Sequence, residues 1–391
     1  MFRILMQNRI DALDKPGGDT EQMMQTKKYL EQMGVSVDIS LDYHPDLSKY
    51  DIVHLFNTTR IHETYVQFLN AKSWGKPVVL SPIYHDYSEF NLYHAGKLRG
   101  FFYRNFSQNV AEFSKELIRG LLKYPRQLRI ISYLLWPGYY EAQREVVKGV
   151  DCLLPQSHMD IEKEVANFGL DKQQLFYRKV VNGVNFEKFD NTAEADVYPH
   201  LKKDSFVLCV ARIEPVKNQL KLVNSLKNTG IKLVLVGSIN RYHKSYAKKV
   251  MKALKEIDGV YLGYVALSEL INLYRKAKVH VLASYFETCG ISNLEAAYAG
   301  CNIVSTNRGY AKEYFLDFAW YCDPTDEKSI RNAVLKAYES DKHDNLPSFI
   351  RENYTWEKAA KQTLEAYIEV MERFNKNSEK IQMPKDQVLA S

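Results

Sequence analysis

Short apolar runs alternate with stretches of helical spacing along the whole chain. Residues 2–6, 36–41, 52–55 and 78–80 read as strands, with helices at 20–33 and 64–72 among them. The pattern restarts near residue 200. Residues 206–211, 232–236, 279–283 and 302–305 read as strands there, separated by helices such as 219–227 and 267–276. Such alternation predicts parallel sheets with helices covering both faces. Two series in 391 residues, more than one core usually supports, predict two doubly wound α/β domains. Ligands of such sheets bind beyond the C-terminal strand ends, here expected in a cleft between the domains. The polar, acidic stretch 186–203 fits a linker. The expected boundaries are therefore 1–185 and 186–355, then a last helix at 356–374 and a flexible polar tail at 375–391.

Composition narrows the class. With 46% hydrophobic and 26% charged residues the chain is an ordinary globular sequence. Its net charge of +6 suits an anionic ligand or membrane surface and does not demand nucleic acid. Residues 1–6 are too short for a signal-peptide core, and no later stretch approaches a membrane span. The five cysteines are scattered and form no C-x-x-C, which reads as reduced core thiols of a cytoplasmic protein.

The most informative segment is Phe286-Glu287-Thr288-Cys289-Gly290-Ile291-Ser292-Asn293-Leu294-Glu295, closed by Gly300. It leaves a strand, crosses a glycine turn and enters a helix. The helix start at Gly290, Ile291 and Ser292 offers free N–H groups and a positive dipole end to a phosphate or sugar. Glu287 and Glu295 flank the turn and can accept bonds from sugar and ribose hydroxyls. Ser292-Asn293-Leu294-Glu295 also reads as a capping box, in which Glu295 serves its own helix start. A second segment runs Arg212-Ile213-Glu214-Pro215-Val216-Lys217. It brings two cations to a strand-to-helix corner, where they can grip a diphosphate or simply be solvated. Lys217 is expected to be exposed. A third is Pro16-Gly17-Gly18-Asp19-Thr20 after the first strand, where glycines admit a close ligand and Asp19 or Thr20 can cap a helix. Neither G-x-G-x-x-G nor a P-loop occurs.

Together these segments resemble the family 4 glycosyltransferases. The likeness runs from Gly17-Gly18 to the Trp356 helix. It is most specific in Glu287-x7-Glu295 with Gly290, and is supported by Asn182-Gly183-Val184, Arg212 and Lys217, Val236-Gly237 and Ser157. The resemblance implies a GT-B fold, two Rossmann-like domains facing across a cleft, and a retaining, nucleotide-sugar-dependent enzyme. It implies that Glu295 holds the donor ribose, that Glu287 lies by the donor sugar, and that Arg212 and Lys217 stabilise the departing diphosphate. Gly17-Gly18 would face the same phosphates from the first domain. His85 resembles the family's first-domain histidine that touches the donor sugar. Many relatives carry Pro-Phe-Gly or Gly-Phe-Gly where this chain has Thr288-Cys289-Gly290, a change in the loop that shapes the sugar pocket.

No D-x-D is present, so the expected catalyst uses no metal and no cofactor, with Arg212, Lys217 and a helix start supplying positive charge. UDP-sugars are favoured over GDP-sugars. Residues 97–129 hold eight basic and two acidic residues among Phe102, Phe106, Phe113, Leu117 and Leu121 at helical spacing. Such a stretch can lie on an anionic membrane at a lipid-linked acceptor, or pack its apolar stripe into the first domain with its cations solvated. The expected function is sugar transfer to a glycan or lipid-linked acceptor in surface polysaccharide or glycoconjugate synthesis. Alternatives are a non-catalytic partner of the same fold, or another enzyme on it such as a sugar-nucleotide epimerase.

Overall fold

A computed structural model describes residues 2–93, 97–123 and 127–382, and the chain divides into two compact units. The first unit comprises Met1–Tyr84, Phe106–Val181 and Trp356–Ser391. Its strands are β1 (Arg3–Gln7), β2 (Ser36–Ser40), β3 (Ile52–Phe56), β4 (Val78–Ser81) and β5 (Cys152–Leu153), in the order β2-β1-β3-β4-β5. The second unit comprises His85–Asn105 and Asn182–Thr355. It holds β6 (Phe206–Val210), β7 (Lys232–Val236), β8 (Val260–Gly263), β9 (Val279–Leu282), β10 (Asn302–Thr306) and β11 (Ala319–Cys322), ordered β11-β10-β9-β6-β7-β8. Every pairing in both sheets is parallel.

Parallel strands covered on both faces must be apolar throughout, and β3 and β9 are buried at every position. Each carries one histidine, and each is satisfied. In β3 the His54 ring meets Tyr367 Oη at 2.7 Å and Ser81 Oγ at 3.0 Å, and burial pushes it down to about 3. In β9 the His280 Nε2 accepts from Val210 N at 3.2 Å, so Nδ1 carries the proton and donates to Asn293 Oδ1 at 2.7 Å. Burial pushes this ring down to about 4, so both histidines are neutral struts at neutral pH. All five cysteines are buried free thiols.

The segment His85–Asn105, expected in the first domain, groups with the second unit, because its aromatic side chains pack on Tyr285 and Phe286. The last helix packs on the helix Gly18–Gln32 of the first unit. It runs from Trp356 to Gln382, so residues 375–382 are helical where a tail was expected. Residues 383–391, the rest of that tail, lie outside the described residues. So do Arg126 of the basic stretch and the side chains of Lys97, Arg99, Phe102, Arg119 and Lys123.

Candidate functional site

In an open parallel sheet the ligand crevice forms where the strand order reverses, outside the C-terminal ends. In the second unit that reversal lies between β6 and β9. The segments leaving those two strands carry Arg212 and Lys217 on one side and Glu287, Gly290 and Glu295 on the other.

After β6 the chain makes a single 3-10 turn, Pro215–Lys217, with proline fixing its entry. Asn218 then takes a left-handed conformation (φ 59°) that asparagine tolerates, and its Nδ2 donates to Ala283 O at 3.0 Å and Pro324 O at 2.8 Å. That locks the turn against the end of β9. Lys217 Nζ is thereby held 2.7 Å from Glu287 Oε1. The lysine side chain is 24% exposed and the glutamate 7%, so Lys217 is mostly covered and not the open surface residue expected. Burial alone would lower the lysine, but Glu287 outweighs it and holds the ammonium above its usual range. Arg212 is half exposed and lies 3.4 Å from Glu214 Oε1. Glu214 is itself fixed by Asn240 Nδ2 at 2.7 Å.

After β9 the backbone of Glu287 bridges to Gly309, accepting from Tyr310 N at 2.9 Å and donating to Arg308 O at 3.2 Å. Gly309 has φ 102°, and a Cβ there would stand 2.0 Å from Glu287 O. Gly290 (φ 69°) then turns the chain into the helix Ile291–Tyr298. The capping-box alternative is not what forms. Gly290 occupies the N-cap position, Ser292 Oγ donates to Val210 O at 3.1 Å, and Glu295 Oε2 accepts from Tyr274 Oη at 3.0 Å. Glu295 is thus held by a buried tyrosine from a neighbouring helix and not by its own helix start. The Cys289 thiol accepts from Asn182 Nδ2 at 3.2 Å, and burial pushes it up to about 12, so it is an inert packing group.

His85 stacks on Tyr87 (5.5 Å between centroids) and meets Phe286 at 5.7 Å, next to Glu287. Tyr87 was missed by the sequence reading. Burial pushes its phenol up to about 12, and it feels the charges of Lys217, Glu287, Glu214 and Arg212 together. Its one sequence signal is the aromatic run Tyr84-His85-Asp86-Tyr87. Tyr274 and Gly309 were missed as well, since nothing in a sequence says which distant backbone a glycine must approach.

In the first unit, Gly17 and Gly18 open the helix Gly18–Gln32 at the switch between β1 and β3. A Cβ on Gly17 would meet Asp19 Oδ1 at 2.8 Å. Asp19 does not cap. It is buried and paired with Arg9 Nε at 2.8 Å, while Asp11 accepts from Arg9 at 2.8 Å and Arg60 at 2.7 Å. Ser157 is the N-cap of His158–Phe168, its Oγ accepting from Asp160 N at 3.0 Å.

Against known families, residues 190–356 match the model of glycosyl transferases group 1. These residues form a glycosyltransferase group 1 domain. The sequence of this glycosyltransferase domain and its surroundings is 23% identical over 224 residues to a probable sucrose-phosphate synthase of Thermosipho melanesiensis, covering 48% of this chain and 52% of that protein. Over 111 residues the chain is 30% identical to the O-antigen chain mannosyltransferase B of Escherichia coli, covering 27% and 29%. The matched stretches thus span about half or less of these curated relatives. Among solved structures, sucrose-phosphate synthase from Thermosynechococcus elongatus superposes with a TM-score of 0.71 at 13% identity, covering 95% of this chain and 100% of that one. HepE of Anabaena, crystallised with UDP, gives 0.65 at 13% identity, covering 94% and 100%. The glycosyltransferase domain therefore sits within the two-sheet α/β architecture of GT-B structures.

Proposed function

We propose that this chain is a retaining glycosyltransferase of the family 4 type. It moves a sugar from a nucleotide diphosphate, UDP before GDP, onto a glycan or lipid-linked acceptor in surface polysaccharide or glycoconjugate synthesis. The observation that carries the reading is the Lys217–Glu287 pair, with Arg212 beside it, at the switch point of β6 and β9 and before a helix start. The relative and structural neighbours named for sugar transfer support it, and HepE crystallised with UDP-glucose supports the uridine donor.

In this reading the diphosphate lies against Lys217, Arg212 and the first N–H groups of the helix, those of Ile291 and Ser292. Glu295, held by Tyr274, accepts from the ribose hydroxyls. Glu287 orients the lysine and accepts from the donor sugar, beside His85. The bond from the anomeric carbon to the phosphate oxygen breaks as an acceptor hydroxyl attacks from the same face. The departing phosphate takes up the hydroxyl proton, so no protein nucleophile is used. The two cations stabilise charge where it develops, and no metal or other cofactor is invoked. The reading carries a cytoplasmic location. Among the described residues no helix is long and apolar enough to cross a membrane.

A thermal-shift series in excess EDTA with UDP, GDP, ADP and their sugar conjugates tests this. UDP is expected to raise the midpoint, as a ligand at a hundred times its Kd adds about 2.7 kcal/mol. Silence toward every nucleotide would sink the transferase reading in favour of a non-catalytic partner, and a response only with added divalent metal would sink its metal-free part. Conversion of a UDP-sugar to its epimer without acceptor would point to the epimerase alternative. The Tyr87 hydroxyl gives a finer test. Tyr87→Phe removes one polar contact beside Lys217, worth roughly a twofold to tenfold loss in kcat/KM for the donor. An unchanged kcat/KM would remove Tyr87 from the site.

A further inference from the structure

The helix Gln108–Lys123 of the first unit is built inside out. Its buried positions include Ala111, Glu112, Glu116 and Gly120. Glu112 pairs with Lys115, and Glu116 lies 3.8 Å from both Lys115 Nζ and His62 Nδ1. Arg60, beside them, is held above its usual range against burial by Glu63, Asp11 and Glu116. The acids face inward because this basic pair and histidine are there to meet them. The apolar residues are left on the other side. Val110, Leu117, Ile118 and Leu121 share one stripe at helical spacing and are 46%, 37%, 50% and 58% exposed. This overturns the alternative in which the stripe packs into the first domain. At the helix start, Asn109 Oδ1 accepts from Tyr139 N at 2.5 Å and Tyr140 N at 3.1 Å. That anchors the preceding turn, where Leu135 is 71% and Trp136 98% exposed.

Charge says what covers this face. Between residues 97 and 140 the sequence has eight basic residues and two acidic ones, Glu112 and Glu116, and both acids are buried. The surface of this stretch therefore carries cations without a single exposed carboxylate. A second copy docked face to face would bring like charges together, which disfavours self-association. A bilayer with anionic headgroups accepts both features, apolar side chains at the headgroup–acyl boundary and cations on phosphates.

We propose that the first unit docks on an anionic lipid surface through the exposed face of Gln108–Lys123 and the Leu135–Trp136 turn. This deepens the acceptor half of the reading above, since it would bring the unit to a lipid-linked acceptor.

The test is flotation of the full chain with phosphatidylcholine vesicles, with and without phosphatidylglycerol, together with tryptophan emission. Wild type is expected to bind the anionic vesicles, with a blue shift that Trp136→Phe diminishes, and to be released by salt. Leu117→Glu with Ile118→Glu should cut binding by roughly tenfold or more, while the UDP-induced thermal shift is kept. Absence of wild-type binding, or equal binding by the variant, would overturn the proposal. So would a concentration-dependent dimer that the same substitutions dissolve, which would give the face to a second copy. Loss of the UDP response in wild type would instead count against the transferase reading and leave the docking result standing.

Discussion

Lys217→Ala is expected to lower kcat by roughly 10²–10³-fold, the range seen when one preorganised group that stabilises developing charge is removed. Lys217 is held 2.7 Å from Glu287 and mostly covered, so its charge acts where solvent screening is weak. The same burial complicates the single substitution. Removing the lysine leaves the Glu287 carboxylate, 7% exposed, without its cation. Lys217→Ala with Glu287→Gln separates the two effects. If the lysine stabilises the leaving diphosphate, the double variant stays as slow as the single one while regaining thermal stability. Restored turnover in the double variant would mean that the stray carboxylate, and not the missing ammonium, caused the defect.

Gly309→Ala should abolish most activity from a position that bears no functional group. At φ 102° an L side chain is strained by about 1–3 kcal/mol, and the added Cβ would fall 2.0 Å from Glu287 O. Backbone cannot yield that distance without moving the Glu287 segment, whose carbonyl accepts from Tyr310 N at 2.9 Å. A lower melting midpoint and a loss of kcat of roughly a hundredfold are expected, since a shift near 1 Å in a positioned group costs about that much. Full activity in Gly309→Ala would show that the Glu287 carboxylate need not be placed by this bridge.

The strands that sequence patterning found are those buried on both faces, such as β3 and β9, where every position must be apolar. β5 has two residues, and β8 is half-exposed at all four positions, so neither writes a buried run into the chain. The residues around the candidate donor site were legible because glycine, proline and paired carboxylates at a strand-to-helix turn leave a local trace. What holds them was not. Tyr274 behind Glu295, Gly309 against Glu287, and Tyr87 beside Lys217 are set by tertiary approach. The same applies to the inside-out helix: its spacing predicts an amphipathic element, but its direction depends on His62 and Arg60, far earlier in the chain.

The three-segment make-up of the first unit sets an order of assembly during synthesis. The ring of His54, in the central strand β3, is satisfied by Tyr367, which leaves the ribosome more than three hundred residues later. Until then the first unit has no helix on that part of its sheet, and one nitrogen of a buried imidazole lacks its partner. The residues from Asn182 to Thr355 emerge together in the meantime. The nascent chain therefore carries an unfinished first unit while the glycosyltransferase domain takes shape, and the first to begin is the last to close.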